Sequence, residues 1–239
     1  MRESDERITV GCCWDGRDYY PREYVEILYR SVRRNTTVPF DFVLYAGPEA
    51  MAGGRTSGLD RGIRVVPSGL PYWWGAMRFW EPSPPGVETE AILYLDLDQI
   101  IVGSLDDLIR FPSDFVCMKD WPAHRCPRGL ERNVNVSTTL LRRGAGARVW
   151  EEYTRRGCPA WDPLARIDRG DIPEAAQSII NDPRNGIAVD LFPESWVASY
   201  RLSVLDRGMP SDCRVVSFHG RPKPHEVVSS TPWAKECWR

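Results

Sequence analysis

The chain has 239 residues, with 31 Lys and Arg against 33 Asp and Glu, a formal net charge of −2. Near neutrality excludes a protein that holds nucleic acid or an anionic membrane by its global field. With 42% hydrophobic and 27% charged residues, a disordered chain is excluded as well. The length suits one domain, 1–239, ending in a tail over 226–239. No apolar run approaches the roughly 18 to 20 residues of a membrane-crossing helix. Residues 1–7 also lack the apolar stretch of a signal peptide, so a cytoplasmic protein without a transmembrane segment is expected. Seven cysteines, odd in number and without a Cys-x-x-Cys pair, signal neither a disulfide framework nor a zinc ribbon and read as reduced packing residues.

Residues 8–13 read as a short buried strand, and Pro21 then opens a helical pattern in which Val25, Leu28 and Val32 share one face. Strands are predicted at 42–45 and 63–66, separated by a loop containing Gly53, Gly54 and Gly58. The most apolar strand is 92–95; a capped helical turn at 104–109 and a strand at 115–118 follow it. Further on come a strand over 134–141, a helix around Val149, Trp150 and Tyr153, and a helix opened by Pro173 with Ala176, Ile179 and Ile180 inward. The last strands are 187–191 and 214–218, after which Pro222, Pro224 and Pro232 are expected to prevent regular structure. Alternation of strand and helix predicts an α/β domain.

Asp96 and Asp98 stand directly after the strand 92–95, at the carboxyl end, where open α/β sheets bind ligands. In extended backbone residues two apart point to the same side, so both carboxylates converge. Unpaired, such like charges raise one another's pKa. A divalent cation removes that penalty and bridges the carboxylates to the phosphates of a nucleotide. The bland alternative is a pair of aspartates solvating a turn before Ile100, Ile101 and Val102.

The stretch 92–108, reading ILYLDLDQIIVGSLDDL, resembles the YLDxDxxVxxxLxxL block of GT-A glycosyltransferases, in particular the glycogenin and lipooligosaccharide galactosyltransferase group (glycosyltransferase family 8). The resemblance implies the GT-A fold, a single mixed, mostly parallel sheet flanked by helices. It also implies that Asp96 and Asp98, with Leu97 between them, hold Mn²⁺ or Mg²⁺ on the diphosphate of a UDP-sugar. Three more blocks keep the family order. Residues 135–141 (NVSTTLL) are similar to the NSGVMLL strand, with Asn135 at its sugar-binding asparagine; residues 176–181 (AQSIIN) resemble DQDxLN, keeping Gln177 but replacing both acids, for which Glu174 is a nearby substitute. Residues 218–224 (FHGRPKP) look like the HFxGxxKPW ending, with Gly220 and Lys223 aligned to the diphosphate contact. Ser217 stands at the family's metal histidine, and His219, two places along a strand on the same side, is the substitute third ligand. By the same resemblance Cys12, Cys13, Trp14 and Asp15, with Tyr19 or Tyr20, lie where the base and ribose bind, with Trp14 and Tyr19 stacking. Arg78 lies at the donor-side helix start of residues 72–78, where Trp73 and Trp74 either stack on sugar or pack.

The activity implied is metal-dependent transfer of a sugar from a UDP-sugar to a glycan, lipid-linked or small-molecule acceptor, with retention and with Gln177, Asn135 and Asp98 at the reacting centre. Acceptor contacts are placed in 121–132 and 157–170, and the tail as covering the core or touching an acceptor, partner or lipid surface. Two other readings are a sugar-phosphate nucleotidyltransferase, against which the lack of a Gly-rich loop after the first strand counts, and a non-catalytic carbohydrate-binding or scaffold protein of the same fold.

Overall fold

Strand β1 (Ile8–Trp14) is buried along almost its whole length, as a run covered on both faces must be, and sorts its side chains by parity. Ile8, Val10, Cys12 and Trp14 face helix α1 (Glu23–Asn35), whose Val25, Leu28 and Val32 form the stripe read from the sequence. The same sorting runs through β2 (Phe40–Ala46): Phe42 and Leu44 face α1, while Val43 and Tyr45 face Trp74, Phe79 and Trp80 of the 3-10 segment Tyr72–Trp80. A fully buried side chain of this size contributes about 1.5–3 kcal/mol, so these two faces hold the sheet in its layered arrangement.

The computed structural model describes residues 7–121, 134–142, 144–157 and 175–239. After β3 (Ile63–Pro67) come β4 (Ala91–Leu95), β5 (Gln99–Ile101), α2 (Asp106–Ile109), β6 (Phe115–Lys119) and β7 (Val134–Arg142). Helices α3 (Ala147–Arg155) and α4 (Ala175–Ile180) precede the short strands β8 (Asp190–Leu191), β9 (Val197–Ser199) and β10 (Val215–Ser217). The main sheet runs β3-β2-β1-β4-β7-β6-β8. From β3 to β4 all pairs are parallel, and β7 is antiparallel to both of its neighbours. The chain leaves β1 for β2 on one side and returns to β4 on the other, so the switch point lies between β1 and β4.

This mixed, mostly parallel sheet flanked by helices is the expected GT-A architecture, with one correction. Strands β5, β10 and β9 form a second, three-stranded sheet, so the sheet is not single. Three-residue strands carry too little pattern to be separated from neighbouring loops. The predicted strand 187–191 shrinks to Asp190–Leu191, and β9 was not anticipated.

The tail also differs from expectation. Pro224 and Pro232 open helices α5 (Pro224–Val227) and α6 (Pro232–Cys237). At a first helical position the missing N–H is one that lacks an intrahelical partner anyway, so proline starts a helix as readily as it stops one. Ala234 is fully buried, and Trp238 meets Tyr24 edge-on at 5.0 Å, so the tail covers the core. Cys12, Cys13, Cys117, Cys213 and Cys237 are free thiols; Cys126 and Cys158 lie outside the described residues. So do Pro173, Glu174 and nearly all of both segments assigned to the acceptor.

Candidate active site

The sheet gathers polar side chains at one edge. Asp96 follows the carboxyl end of central β4, and its N–H continues the ladder to β7 by donating to Ser137 O at 2.9 Å. Its carboxylate accepts from the Tyr94 hydroxyl and from the Ser137 side chain. Burial, then the negative charge of Asp98, pushes its pKa up to about 6. Leu97 points the other way and is a core side chain. Asp98 lies in the turn that follows, close enough for its charge to act on Asp96, and its carbonyl accepts from Phe218 N at 2.9 Å just beyond β10.

Asp98 Oδ2 accepts two hydrogen bonds, from Tyr20 Oη at 2.8 Å and from Lys223 Nζ at 2.5 Å. Lys223 is 4% exposed; Phe218 O accepts from Nζ at 3.1 Å, and the Tyr19 and Tyr20 ring centroids lie 5.3 and 5.1 Å from it. The ammonium therefore sits inside the site, on an aspartate. Gly220 adopts φ +71°, a conformation that favours glycine, and turns the chain from β10 toward Lys223. His219 Nε2 lies 2.7 Å from Ser199 Oγ. Its ring is held against Trp121, and its pKa is lowered by burial and then by Arg201. Among the described residues no group of three or more His, Cys, Asp and Glu side chains is spaced to hold a metal, so His219 does not join the two aspartates in this arrangement.

Of the three residues expected at the reacting centre, Gln177 and Asn135 come together around an aspartate that sequence reasoning missed, while Asp98 is bonded to Tyr20 and Lys223 instead. Asp120, directly after β6, accepts from Gln177 Nε2 at 3.1 Å and from Asn135 Nδ2 at 3.4 Å. Asn135 Oδ1 in turn accepts from Ser137 N at 2.9 Å, which links this trio to the Asp96 turn. The available signal was positional: Asp120 follows an apolar strand as Asp96 does.

The expected base and ribose residues divide. Cys12 and Trp14 are core side chains, the Trp14 indole donating to Tyr20 O at 2.7 Å, and Asp15 accepts from Arg17 N at 3.0 Å and Arg17 Nε at 2.6 Å. Of the expected stacking pair only Tyr19 is exposed. Arg78 donates to Ser68 O at 2.7 Å and pairs with Glu81, and its guanidinium lies over Trp150 at 5.6 Å. Those partners make it an anchor for the 3-10 segment. Trp74 packs in the core, whereas Trp73 is exposed beside the Arg17 guanidinium.

No protein-family model matches the chain. No curated protein matches it either. Solved structures do. An active-site mutant of LgtC superposes with TM-score 0.61 at 13% identity, covering 96% of this chain and 93% of that one. The galactosyltransferase LgtC in complex with donor and acceptor sugar analogues gives 0.59 at 13%, over 91% and 88%. The glycosyltransferase GlyE of Streptococcus pneumoniae TIGR4 gives 0.59 at 16%, over 96% of this chain but 59% of its own length. The likeness is one of fold, and it is the GT-A fold expected from the aspartate block.

Proposed function

We propose that this protein is a glycosyltransferase that moves a sugar from a nucleotide-sugar, UDP-linked, to an acceptor hydroxyl on a glycan, a lipid-linked saccharide or a small molecule. The observation that carries the reading is the convergence, at the carboxyl edge of a glycosyltransferase fold, of the Asp96–Asp98 pair with the Asp120, Asn135 and Gln177 cluster. A scaffold has no need to keep so many buried and half-buried polar groups hydrogen-bonded at one sheet edge. One solved LgtC structure is of an active-site mutant in which glutamine is replaced by glutamate, which supports a role for Gln177 here.

Two hard carboxylate oxygens suit Mn²⁺ or Mg²⁺, which commonly take one or two protein carboxylates and complete their shell with phosphate oxygens and water. Asp96 and Asp98 therefore fit such an ion without a third protein ligand. When bound, the ion supplies positive charge against the leaving diphosphate. Gln177, Asn135 and Asp120 orient the sugar hydroxyls through amide donors and a carboxylate acceptor, and Lys223 contacts the diphosphate. Retention of the anomeric configuration follows the resemblance to the galactosyltransferase group.

The test is calorimetric and thermal-shift titration of UDP and GDP, with and without Mn²⁺, on wild type and the D96A/D98A variant, followed by UDP release from a panel of UDP-sugars. Metal-dependent UDP binding that the double variant loses is the expected result. Absence of nucleotide binding under every metal condition overturns the reading.

A further inference from the structure

Lys223 pairs its ammonium with Asp98, one of the two carboxylates expected to hold a cation. Its ammonium is enclosed by the Asp98 carboxylate, the Phe218 carbonyl and two tyrosine rings, and Tyr20 Oη shares the same carboxylate oxygen. Two physical constraints follow. Removing Lys223 leaves Asp98, itself only 8% exposed, as an unpaired buried charge. Bringing a divalent cation onto Asp98 while Lys223 stays places two like charges against one carboxylate. Neither charge can change alone at low cost.

We infer that Lys223 is an exchangeable counter-ion. It holds Asp98 until a nucleoside diphosphate draws the ammonium onto its phosphate oxygens, and a divalent cation then takes its place on the carboxylate. The backbone around Lys223 is built to stay put during such an exchange. Lys223 N donates to Glu226 Oε2 at 2.6 Å and caps helix α5, so the side chain moves on a fixed anchor. The outer wall of the nest is Tyr19, 49% exposed, which gives the side chain a route to solvent and to a phosphate. Metal and diphosphate are thus coupled: each raises the affinity for the other, because each removes what opposes it.

This inference rests on the nucleotide-sugar reading, and its test separates the two. Mn²⁺ binding to the full chain is measured by electron paramagnetic resonance without nucleotide, for wild type and Lys223→Met. UDP binding without metal is measured by calorimetry for wild type and Asp98→Asn. Lys223→Met is expected to bind Mn²⁺ alone about tenfold more tightly than wild type. Asp98→Asn, which frees the ammonium, is expected to bind UDP without metal more tightly by a similar factor. Equal Mn²⁺ affinity in wild type and Lys223→Met overturns the proposal. If Lys223→Met does not fold, unchanged metal-free UDP affinity in Asp98→Asn overturns it instead. Wild type that binds no UDP even with Mn²⁺ defeats the transferase reading, whereas the Mn²⁺ measurement still reads the ion pair.

Discussion

The imidazole of His219 lies flat on the indole of Trp121, with ring centroids 4.4 Å apart and planes 19° from parallel. Trp121 follows Asp120 at the end of β6, and His219 follows β10, so this stack joins the main sheet to the second one beside the candidate active site. Ser199 Oγ at the end of β9 fixes the far edge of the imidazole at 2.7 Å. Stacked aromatic pairs contribute about 0.5–1.5 kcal/mol beyond the area they bury.

Trp121→Ala is therefore expected to lower unfolding stability by more than about 1 kcal/mol in urea titrations, since the apolar area of a half-buried indole is lost with the stack, while Trp121→Phe keeps most of it. With three histidines in the chain, the His219 ring protons are resolvable by NMR. They are expected upfield in wild type and downfield of that position in Trp121→Ala. Unmoved resonances refute the stack.

Gln99 carries a second link between the sheets. Its buried amide donates to Ser137 O at 2.9 Å and to Thr138 Oγ1 at 2.8 Å, which pins β5 against β7 just past the Asp96–Asp98 turn. Gln99→Ala leaves a cavity and an unpaired acceptor, with an expected cost of about 1–3 kcal/mol measured by chemical denaturation. The turn is expected to loosen with it, so UDP affinity in the presence of Mn²⁺ falls in the same variant at temperatures where it remains folded.

What was legible in the chain follows from how far each interaction reaches along it. Strand β4 is buried throughout and β1 almost so, so their apolar runs announced them, and the Val25, Leu28, Val32 stripe of α1 did the same at helical spacing. The aspartate pair was visible because both members stand within three residues of the end of one strand. Lys223 was legible as a residue but not as the partner of Asp98, 125 positions away, and the expectation of a phosphate contact in its place rested on resemblance. Asp120 was passed over because one acid after a strand forms no pattern; its meaning comes from Gln177, 57 positions later. Proline misled at Pro224 and Pro232 because its effect depends on whether it enters a helix at the first turn or later.

Acid should weaken the fold through Asp106. Burial alone would raise its pKa, but donors from Thr36 Oγ1, Thr37 Oγ1 and Thr37 N outweigh that and hold the carboxyl below its ordinary value. A depressed pKa in the folded state contributes stability that is present above the unfolded value near 4, and that is lost as pH falls through the folded value. Wild type is expected to lose stability below about pH 4 more steeply than Asp106→Asn, and to exceed it at neutral pH. Thermal unfolding across that range, run on both proteins, checks the sign and the window.

Gly11 sits in the middle of β1, and a Cβ there would overlap the ring of Phe79. That ring belongs to the 3-10 segment Tyr72–Trp80 and is tilted against Tyr45 at 4.4 Å and Tyr94 at 5.5 Å, so it has no free direction in which to retreat. Tyr94 in turn donates to Asp96, which puts the overpacked ring two contacts from the candidate active site. Gly11→Ala is expected to destabilise by about 1–3 kcal/mol despite the better strand propensity of alanine. Phe79→Leu removes ring atoms at the point of overlap, so the double variant should recover part of the loss. A double-mutant cycle in urea that shows strict additivity would mean the two side chains do not meet. Coupling of the opposite sign to that expected from relief would place the cost of Gly11→Ala in the strand backbone instead.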